Sequence, residues 1–167
     1  MNITYHTMVG LASASVITNI LPEENNINIY IICTIGIGIN ILLHGALDIL
    51  PHTYSLSIIK DGLISLFLIS IALFFINNKY KLITLCCIFG AILPDIIDKI
   101  IVKNIPALNT YIFPWHNADI INKFYSLYLK FLYIQYFWIT NIIITILSLS
   151  IIIIYRDKFI KSFKFNH

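Results

Sequence analysis

The chain is divided into apolar runs about as long as a bilayer is thick, and that restricts it to very few folds. Residues 62–76 and 131–155 hold no charged side chain, and residues 27–50 hold only Asp48. A bilayer's hydrocarbon core is about 30 Å thick and takes about 20 helical residues to cross. Backbone groups find no water there, so helices, which satisfy their own hydrogen bonds, are the solution open to such runs. Five segments read as helices: about 5–21, 27–50, 62–76, 82–102 and 131–155. The chain is 59% hydrophobic with a mean hydropathy of +0.86. It is 11% charged, against about 25% in a soluble domain. The expected fold is all-α: an integral membrane helical bundle with four to five transmembrane segments and an interfacial amphipathic helix. Residues 1–155 form one transmembrane domain, and 156–167 a basic-aromatic juxtamembrane tail.

Local signals refine this outline. Gly10 and Ala14 have the four-residue spacing that lets helix backbones approach closely. Between the fourth and fifth segments, Ile120, Ile121, Phe124, Leu127 and Tyr128 share one helical face, with Asp119, Lys123, Ser126 and Lys130 on the other. That pattern suits the interfacial helix, over 119–130. No Lys or Arg precedes Lys60, so the basic region of a cleaved secretory signal is missing, and the first segment is expected to stay. Cys33, Cys86 and Cys87 lie in apolar runs without Cys-x-x-Cys spacing and read as buried packing. A net charge of +3 without a basic stripe excludes nucleic-acid binding. No Ser sits in a Gly-x-Ser-x-Gly elbow, which sets nucleophilic serine chemistry aside.

The ionisable residues are less ordinary. His44-Gly-Ala-Leu-Asp48-Ile-Leu-Pro51-His52 and Gly90-Ala-Ile-Leu-Pro94-Asp95-Ile-Ile-Asp98 place acids and histidines within or at the ends of apolar segments. Such groups are costly in a membrane and mark functional sites. His44 and Asp48, four apart, share a helix face, as do Asp95 and Asp98, three apart. Pro51 ends the second helix near Leu50, and Pro94 kinks the fourth. Each crossing reverses the side of the membrane. His6, His44, Asp48, His52, Asp61, Asp95, Asp98 and His116 then all reach one side, with the tail on the other. The basic residues are split almost evenly between the sides, but Arg156, Lys158, Lys161 and Lys164, interleaved with phenylalanines, suit an anionic leaflet. The tail is therefore expected in the cytoplasm and the protein in the plasma (inner) membrane. Histidine with aspartate is a donor set for a zinc-class divalent ion. The candidate ligands are His6, His44, Asp48, His52 and His116, with Asp95 or Asp98 completing the shell or acting as general base.

Thr4-Tyr5-His6-Thr7-Met8-Val9-Gly10, His44-x3-Asp48-x2-Pro51-His52 and the Gly90–Asp98 segment together resemble a group of small bacterial membrane proteins. These are similar to the membrane-bound metal-dependent hydrolases and, more distantly, to zinc-dependent phospholipase C-like proteins. The resemblance spans most of residues 4–120. It implies metal ligands in the His-x3-Asp helix and the Pro-Asp-Ile-x-Asp segment. The hydrolases' later His-Arg-Gly-x-Thr-His motif is absent, and Phe113-Pro-Trp-His116-Asn-Ala-Asp119 stands in its place with one histidine. The phospholipase-like proteins also use more histidines than this chain offers.

The functional expectation is a membrane-embedded, metal-dependent hydrolase acting on a phosphoester or lipid head group, with membrane lipids as its surroundings. Two alternatives use the same residues differently: a non-catalytic metal-binding protein, and a structural bundle whose polar groups merely hold helix ends together. Ion permeation is disfavoured, because the tail-side halves of the helices carry almost no acids or histidines.

Overall fold

The computed structural model describes residues 1–20, 28–50, 52, 56–102, 104–105, 111–117, 119–120, 122 and 137–161. Helices account for nearly all of them: α1 Ile3–Ile20, α2 Ile29–Ile49, α3 Ile58–Phe75, α4 Lys81–Asp95, α5 Phe137–Ile154 and the short α6 Arg156–Phe159. These ranges overlap the five segments read from hydropathy, with residues 131–136 of the fifth lying outside the described residues. Most of the 119–130 helix falls outside the described residues, as does the tail beyond Lys161.

Each boundary has a local cause. Asn28 caps α2 by accepting a hydrogen bond from Tyr30 N. α2 stops at Ile49, with Leu50 already extended ahead of Pro51. In α4, Pro94 has no N–H to donate to the carbonyl four residues back, and the chain continues as a wider π-helical stretch, Ile96–Val102. The sequence predicts a kink here; what the structure has is this change from α to π geometry just after Pro94.

α1 packs against α2, α3, α4 and α5, and α2 lies along α4. Gly90 permits that second contact: a Cβ there would stand 2.5 Å from Ile37 O and 2.7 Å from Ile37 Cα. Gly10 and Ala14 are both buried, with Gly10 against α4 at Ile88 and Ala91. Asn19 Nδ2 donates to Tyr155 O, and Ile76 bridges Ile160, so the ends of α1, α3 and α5 meet at one pole. The start of α1 and the ends of α2 and α4 meet at the other.

The distribution of side chains departs from that of a soluble bundle in two respects, beside an apolar core that includes Leu11, Ile83, Ile88 and Phe159. Asn40, His44, Asp48, Asp61, Thr84, Asp95 and Asp98 are buried, while Ile58, Ile59, Leu63, Leu66, Phe67 and Phe74 on α3 are exposed. Buried polar groups and a large exposed apolar face are the informative departures from water-soluble packing. By length and composition α2 and α3 are each able to cross a membrane, and Trp138–Ile154 is a shorter apolar helix.

Asp61 has an unexpected partner. As an acid in the first turn of α3 it reads as an ordinary helix-start carboxylate. Instead it reaches α1, accepting from Ile3 N at 2.7 Å, Thr4 N at 2.9 Å and Thr4 Oγ1 at 2.6 Å. It thus caps, from another helix, amide donors that α1 itself leaves unpaired.

Candidate metal centre

The four-residue spacing in α2 places His44 and Asp48 one turn apart, both buried against α1 and α4. α4 brings Asp95 to the same point. His116 arrives from the 3-10 turn Pro114–His116. Five distances among their nearest donor atoms are nearly equal. His44 Nε2 lies 3.3 Å from Asp48 Oδ2, 3.3 Å from His116 Nε2 and 3.5 Å from Asp95 Oδ1. His116 Nε2 lies 3.1 Å from Asp48 Oδ2 and 3.2 Å from Asp95 Oδ1. The four donor atoms, one from each residue, all lie within 4.8 Å of one another, close enough to surround a single ion.

Both imidazoles are oriented for this. His44 Nδ1 stands 2.6 Å from Ala91 O, and a carbonyl only accepts, so Nδ1 carries the proton and Nε2 faces the centre. His116 Nδ1 likewise donates to Asp98 Oδ2 at 2.8 Å. Asp98, fully buried, also accepts from Ile112 N at 2.8 Å and Phe113 N at 2.9 Å. Its two oxygens are therefore committed to holding the 112–116 turn and aiming His116, a carboxylate–histidine arrangement typical around bound metals. That occupation leaves Asp98 unsuited to the general-base role considered from sequence.

Glycine fixes the turn's other side. A Cβ on Gly45 would lie 2.6–2.9 Å from Trp115 ring carbons, so the bare backbone gives the indole its seat. Trp115 and Phe113 rings pack 5.2 Å apart beside the centre, and the buried Trp115 Nε1 has no hydrogen-bond partner among the described residues.

The remaining candidates divide. His6 is buried and stacked on His44 with ring centroids 3.8 Å apart. Its Nε2 stands 3.2 Å from Asp48 Oδ1, outside hydrogen-bond alignment, and its Nδ1 has no hydrogen-bond partner among the described residues. Asp48 thus divides its oxygens: Oδ1 faces His6 and the Met1 amine, the latter at 2.6 Å, while Oδ2 faces the histidine pair. His52 stays outside the four-residue group, with its Nδ1 donating to Leu50 O at 2.7 Å. Lys99 Nζ, 2.6 Å from Asp95 Oδ1, was not singled out from sequence. Its i+4 spacing from Asp95 is the signal that would have found it.

The electrostatics favour a cation. α2 ends one residue after Asp48, so its last turn contributes Asp48 and the partial negative charge of a helix C-terminus near the centre. Burial opposes charge on His116, but Asp48, Asp95 and Asp98 outweigh it and push its pKa up to about 9. The group His44, Asp48, Asp95 and His116 is able to hold a metal ion. Comparison with known proteins returns no matching family model, no similar curated protein and no similar solved structure.

Proposed function

We propose that this protein is a multi-pass membrane protein that binds a zinc-class divalent ion at one end of its bundle and uses it in hydrolysis of a phosphoester or lipid head group. The observation carrying this reading is the near-equal spacing of the His44, Asp48, Asp95 and His116 donor atoms, with both imidazoles held by acceptors at Nδ1. The exposed apolar face of α3 and the buried polar side chains support the membrane setting, as does the resemblance to small membrane-bound metal-dependent hydrolases.

The donor set favours a working ion over a purely structural one. Structural zinc sites are mostly built on cysteine thiolates, whereas catalytic ones combine two histidines with a carboxylate and leave a place for water. Here His44, His116 and Asp48 form such a trio. Asp95 is the labile fourth member, because the Lys99 ammonium competes for the same Oδ1. Turned toward Lys99, Asp95 is placed to take a proton from water. A bound ion supplies Lewis acidity and an acidified water. Trp115 Nε1, buried beside His44, provides a donor for a head-group oxygen.

A non-catalytic ion holder is the second reading, and the presence of four protein donors rather than three favours it. Metal analysis of detergent-purified wild type, His44→Ala and His116→Ala tests the site. Stoichiometric zinc in wild type and its loss in both variants is expected, and no metal in wild type overturns both readings. Chelator-sensitive hydrolysis of a generic phosphodiester then separates enzyme from holder.

A further inference from the structure

Of the titratable side chains gathered at the centre, Lys99 differs from the rest in its exposure. The side chains of His6, His44 and Asp98 are fully buried, and those of Asp48, Asp95 and His116 are 5% exposed. The Lys99 side chain is 41% exposed. It leaves the π segment directly after Asp98, and its Nζ stands 2.6 Å from Asp95 Oδ1. That same oxygen lies 3.2 Å from His116 Nε2 and 3.5 Å from His44 Nε2. The ammonium is thus one carboxylate oxygen away from the histidine pair. Its flexible four-carbon stem joins the enclosed donor atoms to the exposed surface of this pole.

Charge gives that position a consequence. A negatively charged ligand approaching Asp48, Asp95 and Asp98 is repelled unless a cation faces it. Two cations touch these carboxylates. The Met1 amine is fully enclosed against Asp48 Oδ1, which leaves the Lys99 ammonium as the one placed to meet a ligand. An ammonium has three N–H donors, so it can keep Asp95 on one and offer another to a ligand oxygen. Bonds between two ionised partners are the stronger class, and lysine is a common binder of phosphate. Trp115 Nε1, the other donor at this edge, is neutral and selects less sharply by charge.

We propose that Lys99 is the substrate-recognising cation of the centre, holding Asp95 with one N–H and an anionic phosphoryl oxygen with another. This rests on the hydrolase reading and narrows its substrate class to phosphoesters that carry a negative charge. Neutral carboxylic esters, which lack an anionic oxygen, gain nothing from Lys99.

Zinc-loaded wild type, Lys99→Gln and Lys99→Arg in detergent test the proposal. Inorganic phosphate binding is followed by calorimetric titration, and kinetics are measured on bis(p-nitrophenyl) phosphate and on neutral p-nitrophenyl acetate. Losing one hydrogen bond between charged partners predicts phosphate binding about 10–100-fold weaker in Lys99→Gln. The KM for the phosphodiester is expected to rise with it, Lys99→Arg to recover most of the loss, and the neutral ester to be unaffected. Zinc affinity is expected at or above the wild-type level in Lys99→Gln, because a competitor for Asp95 Oδ1 is gone. Unchanged phosphate binding, an equal loss on the neutral ester, or weakened zinc binding overturns the proposal. Weakened zinc binding would make Lys99 a prop for Asp95 rather than a contact for substrate. Wild type without zinc overturns the hydrolase reading itself, whereas a zinc-loaded, active wild type matched by Lys99→Gln overturns this proposal alone.

Discussion

Asp98 offers the sharpest test of the centre, because it touches no ion in the proposed arrangement and yet controls a ligand. Three N–H donors converge on its two oxygens: Ile112 N, Phe113 N and His116 Nδ1. In Asp98→Asn the side chain keeps its shape but has one oxygen, and its NH2 must face at least one of those donors. The loss is one or more charge-assisted hydrogen bonds of about 1.5–3 kcal/mol each. The 112–116 turn then loosens and His116 Nε2 is no longer aimed. Removing such a supporting carboxylate typically weakens metal binding about 10–100-fold, or about 1.4–2.8 kcal/mol at 1.4 kcal/mol per tenfold, which overlaps the bond loss. Competition between purified protein and a chromogenic zinc chelator measures it, with exposed Asp119→Asn as control. Wild-type zinc affinity in Asp98→Asn, or an equal loss in Asp119→Asn, refutes the reasoning.

Protonation gives a second test. His116 has its pKa raised from 6.5 to about 9, so its charge stabilises the ion-free fold fully below pH 6.5, and this contribution is lost as pH rises through about 9. Zinc must displace that proton, so its affinity should rise with pH over the same window, and a flat affinity profile refutes the assignment. Asp61→Ala removes three acceptor contacts from the start of α1. It is expected to cost about 1–3 kcal/mol in stability, read as a lower thermal-unfolding midpoint in detergent, with Asp61→Asn intermediate. Gly45→Val pushes into Trp115 ring carbons. In a Trp138→Phe background it should shift Trp115 fluorescence and weaken zinc binding together, and a shift without weakening would separate the indole from the ligand beside it.

How much of this was legible in the sequence differs between helices and side chains. Helix positions were readable because long apolar runs and Pro51 leave little choice. The number of crossings is harder to read: His6 and Thr7 lower the hydropathy of α1, and α4, which carries Thr84 and Asp95, gives way to the π segment after 15 residues. Alternating helix directions predict His6, His44, Asp48, Asp95, Asp98 and His116 at one end, and the bundle gathers them there. That alternation contained no information about which atom faces which. The separate roles of Asp95 and Asp98 depend on the π segment after Pro94, which rotates the chain by an amount that three-residue spacing does not encode. Asp61 was read from its own helix, whereas its partners lie more than fifty residues away.

The division of Asp48 between two sets of neighbours has a thermodynamic corollary. One oxygen belongs to the first helix's side and the other to the histidine pair, so seating that helix and filling the centre draw on the same carboxylate. Linkage makes such coupling reciprocal: whatever an ion does to the anchoring of the leading segment, that anchoring must do to the ion. Adding zinc should therefore change the rate at which α1 amides exchange with deuterium, and an unchanged rate would show that the two are uncoupled. The opening turn of this chain is in that sense a gauge of occupancy, and a grip on it would be a means of control.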